Sequence, residues 1–278
     1  MKDLIYFENL WSELRRDRVD SESYWDERAA FFNNIKNSDK QEENQQTLIA
    51  KLANRGIIHK NASVLDIGCG VGRYALAFSP KVREVYGTDI SSKALAYAKV
   101  NIGLAGYKNI RLVKGDWNDI SLRELGWENK FDFVFASMCP GITSKETLEK
   151  MTKASSSYCL LSSFAMRNDS IRGKLSKLCG IQGFDNDNRT RNSVYCIFNI
   201  LWLLGCYPEI TIQENNWQHL FTTKEAATQY KNMLAAPGKL LPEQLSRIDK
   251  YIIDCSIDGY ITENVTTKIA WIGWNAKK

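Results

Sequence analysis

Residues 64–73 read Val-Leu-Asp-Ile-Gly-Cys-Gly-Val-Gly-Arg, and residues 85–90 read Val-Tyr-Gly-Thr-Asp-Ile. An apolar strand that runs into a glycine-rich turn, followed by a strand that ends in a carboxylate, is typical of a site for an adenosine-bearing cofactor. The glycines let the backbone approach the ligand, and the carboxylate of Asp89 can accept hydrogen bonds from both ribose hydroxyls. The pattern predicts an α/β fold with its ligand at the carboxyl ends of the strands.

The spacing of the glycines separates two classes of adenosine cofactor. The dinucleotide fingerprint has a third glycine three residues after the second, where this chain carries Arg73. A dinucleotide also presents an anionic pyrophosphate, which suits bare helix N-terminal amides. S-adenosylmethionine (SAM) instead presents a sulfonium and a zwitterionic amino acid, so the acid Asp66 before the turn favours it. Asp116, just past the next predicted strand, can accept from an adenine amino group. These residues favour SAM and disfavour a nicotinamide cofactor.

The motifs resemble those of the class I SAM-dependent methyltransferases. The matching segments are residues 66–72 (Asp-Ile-Gly-Cys-Gly-Val-Gly), 89–90 (Asp-Ile), 115–117 (Gly-Asp-Trp) and 131–136 (Phe-Asp-Phe-Val-Phe-Ala). The resemblance covers residues 40–165 well and the rest of the chain in outline. It implies SAM as methyl donor and S-adenosylhomocysteine (SAH) as product.

The resemblance also implies roles for individual residues. The glycine turn approaches the methionine part of SAM, Asp89 holds the ribose, and Asp116 contacts the adenine. An N-terminal helix folds over the cofactor in many family members, although a core-facing aromatic pair is the alternative for Tyr24 and Trp25. Asp89 can alternatively serve only as a helix N-cap. The predicted cofactor-binding residues are Tyr24, Trp25, Arg28, Asp66, Gly68, Cys69, Gly70, Gly72, Arg73, Asp89, Ile90, Asp116, Trp117, Ser137 and Met138.

From residue 62 onward, apolar strands alternate with helices, which predicts a parallel sheet covered on both faces. Strands are predicted near residues 62–67, 84–89, 110–114, 131–136, 158–164 and 209–214. Helices are predicted near residues 72–79, 91–105, 144–154, 193–205, 223–234 and 242–253. Residues 259–274 alternate in the manner of an antiparallel hairpin. Before this core, residues 1–40 show helical spacing, and a further helix begins at the capping box of Ser38 and ends near Gly56.

We therefore predict a Rossmann-like, doubly wound, seven-stranded and mostly parallel sheet with a C-terminal antiparallel hairpin and an N-terminal helical cap. The chain is expected to form a single methyltransferase domain. Its predicted parts are the cap (1–56), the SAM-binding core (57–164), an insertion that covers the substrate (165–206) and the C-terminal part of the sheet (207–278). Residues 165–192, which are polar and poorly patterned, are expected to be a mobile flap.

Composition is ordinary for a soluble globular protein, with 44% hydrophobic and 25% charged residues among 278. The first residues lack the basic-then-apolar order of a signal peptide, and the apolar stretch 194–207 is too short to span a bilayer, so a cytoplasmic location is expected. The seven cysteines form no Cys-x-x-Cys pair, and there are two histidines. Free thiols and no bound metal are therefore expected.

The net charge of +5 is scattered, with one local basic excess in residues 166–191. A protein that binds duplex nucleic acid usually carries a basic stripe or tail, so nucleic acid is disfavoured and a small, anionic substrate is favoured.

The leading interpretation is a methyltransferase that acts on a small molecule. The alternatives are an RNA or protein methyltransferase, an aminopropyl-transfer enzyme of the same fold, and a SAM-binding protein without catalysis. The oligomeric state stays open.

The catalytic residues cannot be assigned from motifs, because methyl transfer from a sulfonium requires mainly alignment and exclusion of water. Residues 137–140, after the fourth strand, read Ser-Met-Cys-Pro. This differs from the Asn or Asp followed by Pro-Pro of amino-directed nucleic-acid methyltransferases. Cys139 and His219 are the two candidates. The alternative for Cys139 is a small residue that shapes the turn, and for His219 a surface position.

Overall fold

The computed structural model describes residues 2–14, 22–34, 39–181, 187–235 and 240–277. The strands are β1 (Ser63–Ile67), β2 (Glu84–Asp89), β3 (Ile110–Lys114), β4 (Phe131–Ser137), β5 (Ser155–Asp169), β6 (Glu209–Thr222) and β7 (Tyr260–Asn275). The helices are α1 (Leu4–Glu13), α2 (Glu22–Asn34), α3 (Asp39–Asn54), α4 (Arg73–Phe78), α5 (Ser92–Ala105), α6 (Lys145–Ala154), α7 (Arg172–Leu178), α8 (Asp187–Leu203), α9 (Thr223–Leu234) and α10 (Pro242–Asp254). Ser38 and residues 182–186, parts of the predicted capping box and flap, lie outside the described residues.

The strands form one seven-stranded sheet in the order β3-β2-β1-β4-β5-β7-β6. The pairs from β3 to β5 are parallel, and β7 runs antiparallel between β5 and β6. The predicted Rossmann-like sheet with a late antiparallel pair is thereby confirmed. Because the strand order reverses between β1 and β4, their carboxyl ends open into a crevice where such folds bind ligands.

Three predictions at the antiparallel end of the sheet were wrong, one in the type of element and two in the length of a strand. Residues 259–274 form one strand and not a hairpin, because alternate residues from Ile261 to Thr267 are buried without any interrupting turn. Strand β5 runs past the predicted end at 164, and β6 runs past 214. The added residues of β6 are mostly polar, yet they alternate between half-buried and exposed positions, as half-buried antiparallel strands do. Those of β5 do not alternate, because the pairing with β7 shifts between residues 164 and 166.

Both faces of the parallel part are buried. Leu65 and Val134 pack with α6 in one apolar cluster, whereas Val64 and Phe133 pack with α4 in another. Successive side chains of a strand point to opposite faces, so each parallel strand supplies both clusters. Helix α1 belongs to the first cluster through Phe7 and Trp11. The near-continuous apolar strands of the sequence are explained by this two-sided burial.

A third apolar cluster lies at the far ends of β5, β6 and β7. It is formed with α7, α9 and α10, and its buried members include Ile171, Leu175, Ala226, Tyr230, Ile248, Ile252 and Ile261. We call these three helices and the strand ends that they cover the upper unit. The division of the chain into four parts stays a prediction, because the upper unit combines residues from both sides of the predicted boundary at 206.

The upper unit encloses a buried polar network. The hydroxyl of Tyr230 lies 2.5 Å from Glu263 Oε1 and 3.2 Å from Asp169 Oδ1. Asp169 Oδ1 also accepts from the backbone N–H groups of Ile171 and Arg172, at 3.1 and 3.0 Å. Burial, and then the neighbouring charge of Asp169, raise the pKa of Glu263. Glu263 therefore keeps its proton to a higher pH than an exposed glutamate does.

We expect Glu263→Gln to change how stability depends on pH. The folded-state pKa of Glu263 lies above its unfolded value, so its favourable contribution is complete below the unfolded pKa and is lost as pH rises toward the folded pKa. As pH rises above the ordinary pKa of a glutamate, the free energy of unfolding of the wild type should fall relative to that of the variant. Urea unfolding at a series of pH values measures this difference. The exposed Glu124→Gln is the control, and parallel profiles for wild type and Glu263→Gln would contradict the assignment.

Candidate functional site

A cavity of about 630 Å³ lies at the carboxyl ends of β1, β2, β3 and β4. Most of the predicted cofactor residues line it: Trp25, Asp66, Gly68, Cys69, Gly70, Arg73, Asp89, Ile90, Asp116, Trp117, Ser137 and Met138. Cys139 lines it as well. Among the described residues, Tyr24, Arg28, Gly72 and His219 are not part of its wall. The structure therefore brings together the strand-end acids and the glycine turn, as the sequence predicted, but not every candidate.

The glycine turn adopts backbone conformations that favour residues without a side chain. Gly68, Gly70 and Gly72 have φ angles of +69°, +53° and +86°, a region that favours glycine. A Cβ on Gly68 would lie 2.6 Å from Cys139 Sγ, whereas a Cβ on Gly70 would meet nothing within 4 Å. Gly72 is the N-cap of α4 and packs against Ala98, which explains why it is absent from the wall. The turn is thus shaped by packing at Gly68 and open at Gly70.

The carboxylate of Asp89 is fixed by backbone donors on both oxygens. Oδ2 accepts from the N–H of Gly70 at 2.8 Å, and Oδ1 accepts from the N–H of Ser91 at 2.8 Å. The N-cap of α5 is Ser91, whose side chain accepts from Ala94 N, so Asp89 does not cap this helix. Burial raises the pKa of Asp89. Each oxygen keeps a lone pair for a further donor, which suits a pair of adjacent hydroxyls.

Asp66 is a buried carboxyl group that lacks a complete set of partners. It is 2% exposed, and among the described residues its Oδ2 has no hydrogen-bond partner. Burial, followed by the nearby Asp89, raises its pKa to about 7. An unsatisfied buried carboxylate oxygen is costly, so its presence in a cavity wall points to a ligand that donates hydrogen bonds or carries positive charge.

The turn after β3 is held by a lysine that the sequence reading missed. Lys150 Nζ donates to the carbonyl oxygens of Trp117, Asn118 and Ile120, each at 2.9 Å. Asp116 Oδ1 accepts from the backbone and side-chain nitrogens of Asn118, at 2.9 and 2.7 Å. These bonds fix the position of Asp116 at the cavity. In the sequence, Lys150 is one of several lysines on α6 and gives no signal of this role.

The segment after β4 contains the strained backbone of the site. Met138 has a φ of +52°, which is uncommon for a residue other than glycine, and its N–H is 3.1 Å from the carbonyl oxygen of Ser162. Ser137 Oγ lies 3.0 Å from Ser162 Oγ. Burial raises the pKa of Cys139 to about 12, so its thiol is protonated near neutral pH. This supports the interpretation of Cys139 as a packing residue and not as a nucleophile.

Helix α2 covers one side of the cavity with Trp25. Its Asp26 Oδ1 accepts from Ser91 Oγ at 2.6 Å and from Lys93 N at 3.0 Å, at the start of α5. The predicted contacts of Tyr24 and Arg28 with the cavity are not seen. Arg28 instead stacks on the Tyr24 ring, with its Cζ 3.5 Å from the ring centroid, and donates to the carbonyl oxygen of Asn232 at 3.3 Å. Helix α2 thus contacts both the core and the upper unit.

The other side of the cavity is built by residues that the sequence reading missed: Tyr74, Ser162, Phe164, Arg167, Gln213, Asn215, Trp217, Ile269 and Trp271. Most of them lie on β5, β6 and β7. Alternate positions of β6 face the cavity, at Gln213, Asn215 and Trp217. The residues between them are polar as well, so the sequence gives no alternating signal there. His219 lies on this strand and not in a loop. Its Nδ1 is 3.3 Å from Glu263 Oε2, outside the cavity wall.

Three further observations concern metal ligands, thiols and membrane-spanning helices. Within the described residues, no three His, Cys, Asp or Glu side chains are grouped as metal ligands. All seven cysteines are free thiols. None of the helices in the described parts of the chain has the length and apolar character needed to cross a bilayer.

Comparison with known proteins identifies a family. A family model described as a methyltransferase domain matches residues 58–225. The 23S rRNA (uracil(1939)-C(5))-methyltransferase RlmD of Shewanella amazonensis is 27% identical over 128 residues, 45% of this chain and 29% of the relative. The ribosomal protein L11 methyltransferase of Lactobacillus gasseri is 36% identical over 97 residues, 34% of this chain and 29% of the relative. The chain spans about a third of the length of the curated relatives that it matches.

Solved structures show the same fold. The YcgJ protein from Bacillus subtilis superimposes with a TM-score of 0.53 at 16% sequence identity, covering 85% of this chain and 99% of that protein. At this identity the likeness concerns the fold alone.

We expect Gly68→Ala to destabilise the protein more than Gly70→Ala does. Both changes place a Cβ on backbone with positive φ, which costs about 1 kcal/mol. Gly68→Ala adds the clash with Cys139, worth about 1–3 kcal/mol. Urea unfolding measures both variants. Cys139→Gly should recover part of the loss from Gly68→Ala and none of the loss from Gly70→Ala, and strictly additive effects in both pairs would refute this packing role.

Proposed function

This chain belongs to the class I SAM-dependent methyltransferases, and we propose that it transfers the methyl group of SAM to a small-molecule acceptor bound in the cavity. The observation that carries the proposal is the convergence of three strand-end acids on one enclosed cavity: Asp66, Asp89 and Asp116. A cofactor with a positively charged end, a ribose and an adenine amino group supplies a donor for each of these acids.

The residues present fit SAM at three points. Asp89, fixed by backbone donors, would hold the ribose hydroxyls. Asp66 has an unsatisfied oxygen and would accept from the ammonium group of the methionine part. Asp116 would accept from the adenine amino group. When bound, SAM supplies a methyl group activated by the adjacent sulfonium. The residues Tyr24, Arg28 and Gly72 have no place in this proposal.

The protein's contribution to methyl transfer is to align the acceptor and exclude water. Trp25 on α2 and the residues of β5, β6 and β7 enclose the cavity on opposite sides. Ser137 is the last residue of β4, Met138 follows it, and both line the same space. We assign no general base, because Cys139 keeps its proton near neutral pH and His219 lies outside the wall.

A small acceptor is favoured over a macromolecule by the volume of the cavity. Its volume of about 630 Å³ is within the range of small-molecule sites. The names of two relatives, an rRNA methyltransferase and a ribosomal protein methyltransferase, support the second candidate. Production of SAH from SAM with a fractionated pool of small metabolites, and none with RNA or ribosomal protein, would support the first. The opposite result would overturn it.

We expect Asp89→Ala to weaken SAH binding by about 2 kcal/mol, roughly 30-fold, because hydrogen bonds to a charged group are lost. Isothermal titration calorimetry measures the change, and circular dichroism checks that the variant is folded. Asp254→Ala removes an exposed carboxylate at the end of α10 and is the matched control. Unchanged affinity in a folded Asp89→Ala variant would exclude the ribose role.

The affinity for SAH should rise with pH through the range in which Asp66 ionises. The pKa of this group is about 7 in the free protein, and a bound ammonium group favours the ionised form and lowers the pKa. Below pH 7 the proton competes with the ligand, so affinity should increase by up to about 10-fold per pH unit there and level off above it. Calorimetry in buffers of different ionisation enthalpy should detect proton release. Asp66→Asn should remove the pH dependence, and the same dependence in that variant would rule out this assignment.

A further inference from the structure

Strands β5, β6 and β7 bring one arginine to the cavity wall, opposite the cofactor side. We propose that Arg167 binds a carboxylate of the acceptor, and that the substrates are small, planar carboxylic acids. This inference rests on the proposed function, because it assigns the acceptor end of the same cavity. The supporting observations are a bulge in β5, an unsatisfied nitrogen on Arg167 and two flanking aromatic rings.

The bulge determines which way Arg167 points. Phe164 is paired with Ile269 of β7, but Arg167 is paired with Thr267, so the register shifts by one residue between 164 and 166. In a regular strand, residues 164 and 166 would share a face and Arg167 would lie on the opposite one. The shift places Phe164 and Arg167 on the same face, and both line the cavity. Bulges that re-aim a side chain in this way are frequent next to active sites.

The guanidinium group of Arg167 has unused capacity to donate hydrogen bonds. Its Nε is buried and has no hydrogen-bond partner among the described residues. Its Nη2 is 3.7 Å from Asp169 Oδ2, an ion-pair distance that is too long for a hydrogen bond. Asp169 Oδ2 also has no hydrogen-bond partner among the described residues, so the two groups do not satisfy each other at this distance. A ligand carboxylate can accept two parallel hydrogen bonds from the planar fork of a guanidinium group, which is the strongest way to satisfy it.

Two rings flank the same group. Arg167 Cζ is 5.7 Å from the ring centroid of Phe164 and 5.9 Å from that of Trp217. Trp217 lies on β6, and its partner in the register is Val265 of β7, which is also paired with Asp169 of β5. The rings orient the guanidinium group and provide flat apolar surface beside it. A planar acid can therefore place its ring against these side chains while its carboxylate meets Arg167.

The charges behind Arg167 favour a single negative charge on the ligand. Asp169 is 5% exposed, its Oδ2 lies 3.7 Å from Arg167 Nη2, and the buried Glu263 is close to it. Tyr230 bridges these two acids. A ligand with two negative charges would be repelled by Asp169 and, at higher pH, by Glu263. A carboxylate is the monoanion whose geometry matches the guanidinium fork.

The test compares benzoate with benzamide, which has nearly the same shape and no charge. Each is titrated into the full chain saturated with SAH, and binding is followed by saturation-transfer NMR and calorimetry. The wild type should bind benzoate at least about 10-fold more tightly than benzamide, as expected for a charge-assisted pair. Arg167→Gln should abolish this preference. Arg167→Lys, which keeps the charge and lacks the planar fork, should retain only part of it.

Arg123→Gln is the matched control, because it removes the same charge from an exposed position outside the cavity. It should leave the preference for benzoate unchanged. SAH affinity is measured for every variant, which separates loss of the fold from loss of the acceptor subsite. If SAH binds and the wild type does not distinguish benzoate from benzamide, the inference is overturned while the proposed function stands. A preference for benzoate that survives Arg167→Gln also overturns the inference. Failure of the wild type to bind SAH overturns both the inference and the proposed function.

Discussion

The hydrogen bond between Gly70 N and Asp89 Oδ2, at 2.8 Å, is the contact on which the site depends. It joins the turn after β1 to the end of β2, so the parallel register of these strands fixes where the carboxylate lies. The same carboxylate receives the N–H of Ser91 and thereby positions the start of α5. Helix α2 binds to that start through Asp26. One buried carboxylate thus aligns the turn, a core helix and the cover of the cavity.

The sequence predicted the parallel half of the molecule well because its signals are local. Strands buried on both faces appear as short apolar runs, and the glycine turn and the acids follow them directly. The extensions of β5 and β6 were missed, because polar residues that face a cavity give the same composition as a loop. Arg167 shows the limit most clearly: its direction depends on a bulge, and a one-residue shift in pairing leaves no trace in composition. Lys150 was missed because its three carbonyl acceptors come from another segment.

Two buried acids with raised pKa values have different structural settings. Asp66 faces the cavity with an oxygen that no described residue satisfies. Glu263 is enclosed by the upper unit, where Tyr230 and Asp169 surround it. Asp66 therefore has an oxygen without a partner among the described residues, whereas each oxygen of Glu263 has a neighbour within hydrogen-bond distance, Tyr230 and His219. This difference separates a binding residue from a structural one more clearly than the direction of the pKa shift, which the two share.

Helix α2 contacts the start of α5 through Asp26 and the end of α9 through the bond from Arg28 to the carbonyl oxygen of Asn232. The helix that carries Trp25 to the cavity wall is therefore attached to the unit that covers the far ends of β5, β6 and β7. A ligand that stabilises α2 in this position also stabilises the upper unit, so the two binding events share one free energy of coupling. By reciprocity, each ligand should raise the affinity for the other by the same factor. Saturation with either ligand should therefore lower the concentration of the other that half-fills its site.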